Sequence, residues 1–213
     1  SSYIMRFADS AAVQNYFDIS KDDLKKSEYR SIHRYICDYF QSNLSSDTNY
    51  HLAPFSIKKG ANIYGIIFGS GSYLGLLKFL EACWEVDSKT GEANYAIEDN
   101  PRVWKGSEPY LFPDYNMIKK KDSFRQQLLD FIEDKTENSF LKGAQNLELF
   151  TFSLQCGFLP KHTNEELRRL QENEKIEVRD MKSGKPARKG AFFISWKEYN
   201  KPEKDIRAVI QRK

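Results

Sequence analysis

Cysteine is scarce in this chain. Cys37, Cys83 and Cys156 are odd in number and far apart, with no CxxC or Cys/His spacing to suggest a zinc site. Their apolar surroundings predict buried free thiols in a reducing cytoplasm. No apolar run approaches the roughly 18–20 residues of a membrane span. The opening "SSYIMRFADS" has no basic stretch leading into an apolar core, so no signal peptide is expected. It also lacks an initiator Met, which suggests a segment excised from a longer protein. Catalytic signatures are missing too. His33, His51 and His162 stand in neither GxSxG nor HExxH contexts, and Asp87, Glu92 and Asp99 do not have calcium-loop spacing. No catalytic or metal-ligating residue is assigned, and the chain by itself is not expected to catalyse a reaction.

What is present is aromatic bulk and unevenly placed charge. Fifteen Phe and 12 Tyr among 213 residues can build a sizeable core. The net charge is +3, but residues 1–100 hold 10 Lys/Arg against 13 Asp/Glu, whereas Lys175 to the end holds 12 against 5. A basic last third can face a polyanion or a partner.

Periodicity divides the chain. Tyr3–Asp9 alternates as a strand does, and a helix is expected from Ala11. Ile32, Tyr35, Ile36, Tyr39, Phe40 and Leu44 form a helical stripe, with His33 off it as a solvent-facing or packing residue. His51–Ile57 and Asn62–Ser70 read as a hairpin joined by "KKGA", the second run apolar enough to be buried on both faces. A glycine turn and an apolar helix follow. Residues 87–122 read as a connector. Beyond it come three helices: one through Phe124, Leu128, Phe131 and Ile132, one through Leu147, Phe150 and Leu154, and one opened by a Thr163–Glu166 capping box. Two strand-like runs, Ile176–Lys182 and Gly190–Trp196, flank "SGKPARK".

Three helices and a hairpin, with Gly157 in the turn between the second and third helix, is the order of a winged helix-turn-helix. Its expected cationic surface is Lys161, His162, Asn164, Arg168 and Arg169 on the third helix, with Lys182, Lys185, Arg188 and Lys189 on the wing. Glu165, Glu166, Glu172 and Glu174 oppose a phosphate backbone, so docking of a protein partner stays open beside nucleic acid, with DNA preferred to RNA. The expected fold class is α+β: residues 1–86, whose strand, helix, hairpin and helix resemble the end of a methyltransferase-like sheet, 87–122 as connector, 123–199 as winged helix-turn-helix and 200–213 as a basic tail.

The stretch "YGIIFGSGSYLGLLKFLEACWEVDSKTGEANY" is similar to a segment of the three-Cys-motif partner protein (TcmP) family. Its apolar strand Ile66–Ser70, the helix start Leu74-Gly75-Leu76 and the helix end Trp84-Glu-Val-Asp87 carry the likeness. "FLPKHTNEELRRLQENEKIEV" and "ARKGAFF" resemble the helix–hairpin module that closes such proteins. The resemblance implies a methyltransferase-like body and a bacterial or phage setting, including mobile elements and defence. It also implies a partner with a three-cysteine, radical-SAM-type signature. The family's S-adenosylmethionine region has no counterpart upstream of Gly69, so no cofactor is expected in this chain; the alternative is a portion of a methyltransferase-like enzyme whose S-adenosylmethionine site lies in a missing N-terminal region. The glycines of "FGSGSYLG", spaced G-x-G-x-x-x-G, miss the dinucleotide fingerprint by one residue. Gly69 and Gly71 are expected to turn the chain out of a strand, and Gly75 to let the next helix pack close to the sheet.

Overall fold

The computed structural model describes residues 32–45, 48–59, 62–86, 117–202 and 205–213. The strand expected at Tyr3–Asp9, the helix after Ala11 and connector residues 87–116 lie outside the described residues. The elements are α1 (Ile32–Asn43), β1 (His51–Lys59), β2 (Asn62–Ser70), α2 (Tyr73–Val86), α3 (Met117–Asn138), β3 (Ala144–Gln145), α4 (Asn146–Gln155), α5 (Pro160–Glu172), β4 (Ile176–Asp180), α6 (Trp196–Tyr199) and β5 (Ala208–Arg212). The fold is α+β, with two small antiparallel sheets among the described residues. Helix α3 starts at Met117, inside the expected connector.

β1 and β2 form the expected hairpin, in a register running from His51 opposite Ser70 to Lys59 opposite Asn62. Both of its faces carry a helix. Ala53, Phe55 and Phe68 face α2, where Phe79 stacks on Phe68 at 4.4 Å and meets Phe55 edge-on at 6.0 Å. On the other face lies α1. A Cβ added to Gly65 would stand 2.5 Å from His33 Cβ, and Gln41 Oε1 accepts the Leu52 N–H at 2.9 Å. Among the described side chains of α1, His33 and Cys37 are therefore the buried ones, while Phe40 is exposed. The expected stripe is rotated because the hairpin meets the helix along the row of His33 and Cys37. Ile66, Ile67 and Phe68 remain half-buried rather than fully enclosed. Among the described residues, only one strand pairs with β2.

The glycine turn closes on itself. Ser70 Oγ accepts the Ser72 N–H at 3.1 Å, and Ser72 Oγ accepts the Leu74 N–H at 3.1 Å, capping α2. The chain bends out of β2 at Gly71 and Ser72, and since neither Gly69 nor Gly71 has a positive φ, the bend does not use left-handed backbone. Gly69 instead leaves room for the Tyr50 ring, which a Cβ would approach to 2.6 Å. Gly75 does permit close packing: its Cβ would collide with Ser70 Oγ at the end of β2.

α2 joins the hairpin to the rest of the molecule. Leu76, Leu77, Leu80 and Trp84 lie in one apolar cluster with Phe124, Leu128, Leu149, Phe150, Phe158 and Ile210. Trp84 Nε1 donates to Gly157 O at 3.0 Å. The second sheet has the order β3-β5-β4, both pairs antiparallel, with Ile176 opposite Arg212 and Asp180 opposite Ala208. The central strand is thus the segment expected to be a basic tail. The run Gly190–Trp196 is not a strand. Phe192 and Ile194 do alternate inward, but Phe193 has φ 55. Its carbonyl accepts from Asn146 Nδ2 at 3.2 Å, and the Ile194 carbonyl accepts from Asn164 Nδ2 at 3.1 Å. Side-chain amides thus take the place of a ladder partner.

α4 ends in a Schellman motif: Phe158 N–H returns to Ser153 O at 2.8 Å and Gly157 N–H to Leu154 O at 3.0 Å, with Gly157 at φ 79. On α4, Leu149 is fully buried whereas Leu147 is only half-buried. α5 then begins at Pro160, four residues earlier than a Thr163 cap would place it. Pro suits a first turn whose amide has no helical partner. Thr163 is buried instead, donating to Ser153 Oγ at 2.5 Å. All three cysteines are free, and burial pushes the Cys37 and Cys156 thiols up to about 12. Both therefore stay protonated and unreactive near neutrality. Among the described residues, no helix is long and apolar enough to cross a membrane.

Candidate nucleic-acid interface

The expected contact residues lie on α5 and on the long loop between β4 and β5. That loop opens with a closed turn. Asp180 Oδ1 accepts the Ser183 N–H at 2.8 Å and the Ser183 hydroxyl at 2.9 Å. Gly184, at φ 66, returns its N–H to Asp180 O at 2.9 Å. Asp180 N–H then donates to Lys185 O at 2.9 Å, and Ala187 N–H to Val178 O at 2.7 Å. The chain therefore doubles back along the outer edge of β4, with Pro186 bridged to Arg179. The Ser183 hydrogen bonds favour the charged carboxylate and hold Asp180 below its ordinary value of 3.8. "DMKSG" is the legible signal for this turn, an Asp followed by Ser and Gly at turn spacing.

Lys182, Lys185, Arg188 and Lys189 are all exposed on this loop. Lys182 lies 3.5 Å from Asp205 and Lys189 3.2 Å from Glu172. Such exposed pairs are weak and yield readily to a competing anion. Lys185 and Arg188 have no ion pair among the described residues. Gln171 Oε1 accepts the Gly190 N–H at 3.1 Å. Together with the Lys189–Glu172 pair, this ties the loop to the C-terminal half of α5.

α5 presents fewer cations than its sequence suggests. Lys161 and Arg168 face solvent. His162 does not: it is buried, its Nδ1 accepts the Leu159 N–H at 3.2 Å, and its ring lies 4.0 Å from that of Trp84. Asn164 is half-buried and holds Pro160 O at 2.8 Å and Ile194 O at 3.1 Å. Both are packing residues rather than contact residues. Residues 162, 163, 166, 167 and 170 face inward, and because the helix already runs from Pro160, His162 lies on that face one turn before Glu166. Glu166, 2% exposed, is held by Arg125 Nε at 2.5 Å and by Arg169 Nη1 at 3.1 Å. This pairing spends part of the Arg169 charge within the fold. It also removes Glu166 from the acids that would oppose a phosphate backbone. Glu165 and Glu172 remain exposed on the helix.

The expected cations that stay exposed are therefore Lys161, Arg168 and Arg169 on the helix and Lys182, Lys185, Arg188 and Lys189 on the loop. Comparison of the chain with protein-family models, with curated proteins and with solved structures finds no match.

Proposed function

We propose that residues 117–213 act as a winged-helix module that binds duplex DNA through its phosphate backbone, as the C-terminal part of a three-Cys-motif partner-like protein. One observation carries this reading. The order helix, strand, helix, helix, strand, loop, strand, with the last strand inserted between the other two, gives a cationic loop that opens in a closed turn and is tied at Lys189 to Glu172 of the second helix of the pair. A turn already held by Asp180 and Ser183 loses little freedom when it meets a phosphate, which favours binding. The loop contacts would be electrostatic and indifferent to base sequence.

The experiment is a salt titration of affinity for a DNA duplex. Each phosphate contact contributes roughly −0.9 to the slope of log affinity against log salt. Replacing Lys182, Lys185 and Arg188 together by Ala should flatten the slope by about two to three and weaken binding uniformly across sequences. An unchanged slope and affinity rejects the DNA reading.

A second reading, docking of a protein partner, is favoured by Phe140. Its side chain is 98% exposed at the mouth of a cleft of about 380 Å³ that includes Leu141, Met181 and Arg179. Exposed aromatics flanked by an Arg are common anchors of protein interfaces. Glu165 and Glu172 also suit a partner of mixed charge better than a polyanion.

A further inference from the structure

A second cleft, of about 340 Å³, opens where the end of the hairpin meets the loop before β5. None of the wing cations lines it. We propose that this cleft receives a flat, neutral heteroaromatic base, either as a free nucleoside or nucleotide or as a base unstacked from a single strand. The inference does not rest on the wing's binding DNA.

The walls are aromatic and already assembled. His51 and Tyr73 stack at 3.7 Å with planes 21° apart, and Tyr199 meets Tyr73 edge-on at 5.5 Å. Trp196 lies 5.9 Å from Tyr199, and both rest on Phe150, which is fully buried. Ring surfaces fixed from behind in this way offer a stacking platform that loses little freedom when a base arrives. The cleft's size lies within the range of small-ligand pockets.

The polar lining selects the ligand. Asn49 and Asn200 reach the cleft as exposed side chains, and neither amide has a hydrogen-bond partner among the described residues. Each amide offers both donor and acceptor, the pattern found along a base edge. Net charge is nearly absent. Lys201 is the one fully charged side chain in the lining, and its Nζ lies 2.5 Å from Glu198 Oε2. Burial lowers the His51 pKa, which keeps its ring neutral near pH 7. The start of α2, which also borders the cleft, has its Leu74 amide capped by Ser72 Oγ and the Ser72 amide bound to Ser70 Oγ. A bare phosphate or carboxylate thus finds little to neutralise it, whereas a planar ring bearing donors and acceptors finds both stacking and pairing groups.

The test is calorimetric titration of the full chain with adenosine, guanosine, cytidine and thymidine, with ribose 5-phosphate as the base-free control and a short single-stranded DNA as the polymer. At least one nucleoside should bind saturably at one per chain, and ribose 5-phosphate should not. Asn49→Ala and Asn200→Ala should each weaken nucleoside binding about three- to tenfold. Because both side chains are exposed, the variants should keep the native melting temperature. Lys185→Ala/Arg188→Ala should leave nucleoside binding unchanged, which separates this site from the wing. Tighter binding of the strand, weakened by the same Asn substitutions, identifies a polymer as the source of the base; equal affinities identify the free nucleoside. The proposal is overturned by any of three results: no saturable binding of nucleoside or strand, ribose 5-phosphate binding as tightly as a nucleoside, or Asn variants that fold and bind as the parent does.

Discussion

The hairpin region, residues 32–86, and the C-terminal region, residues 117–213, are held together by different forces. The hairpin is covered by ring packing on one side and a histidine-lined helix on the other, with Gln41 supplying one long-range polar tie to Leu52. The C-terminal region is laced by buried polar groups acting over long sequence separations. Asn146, fully buried, donates to Phe193 O and accepts from the Arg207 and Ala208 amides. Thr136 Oγ1 accepts the Arg212 N–H at 3.0 Å. Ring stacking is tolerant of small shifts, whereas a saturated buried amide permits one arrangement only. A two-stranded sheet is marginal alone, and the hairpin relies on α2, whose Trp84 reaches into the other region.

One deletion and three substitutions would sharpen or break this contrast. Deleting residues 206–213 removes the middle strand and should abolish cooperative unfolding of the C-terminal region, read by circular dichroism in urea. A cooperative transition that survives the deletion would show the segment to be dispensable. Asn146→Ala leaves two amides and a carbonyl without this partner and should cost about 3 kcal/mol of stability by chemical denaturation. A cost below ~1 kcal/mol would deny the polar lacing its role. Trp84→Phe removes the bond to Gly157 O while keeping most of the ring. It should cost about 1–2 kcal/mol and begin to separate the melting of the two regions in calorimetry. A single transition at an unmoved midpoint would mean that the junction carries nothing. The smallest effect is a gain. Glu174 sits at φ 55, where the chain leaves α5 with Lys175 N–H bound to Leu170 O at 2.9 Å. Glu174→Gly relieves that left-handed backbone and should add about 0.5–1 kcal/mol.

Much of this contrast can be traced to what a sequence displays. The hairpin was legible because two apolar runs flank a short turn, and the α4–α5 pair because Gly157 interrupts two helical stripes. β5 was not legible. "AVIQR" is a short run amid Lys201, Arg207, Arg212 and Lys213, and its partners begin more than 25 residues upstream. The run "GAFFISW" showed the two-residue alternation of a strand, and its alternate burial is real. Nothing local revealed that Asn146 and Asn164 would take its carbonyls. The α5 surface was misjudged for a related reason. Thr163 and Glu166 have capping-box spacing, but the helix starts earlier, at Pro160, so His162 falls within it on the buried face. The cleft between the hairpin end and α6 had no local signature, because its two walls come from segments more than 100 residues apart.

The sequence by itself determined the secondary elements that arise from local periodicity, the glycine-marked turn between α4 and α5, and the gathering of cations between Lys182 and Lys189. Tertiary structure alone decided which strand lies in the middle, which cations face water and which rings line a cleft. Helical and strand periodicities are written within a few residues. Strand pairing and side-chain burial are settled by contacts between distant segments, which leave no mark on either segment alone.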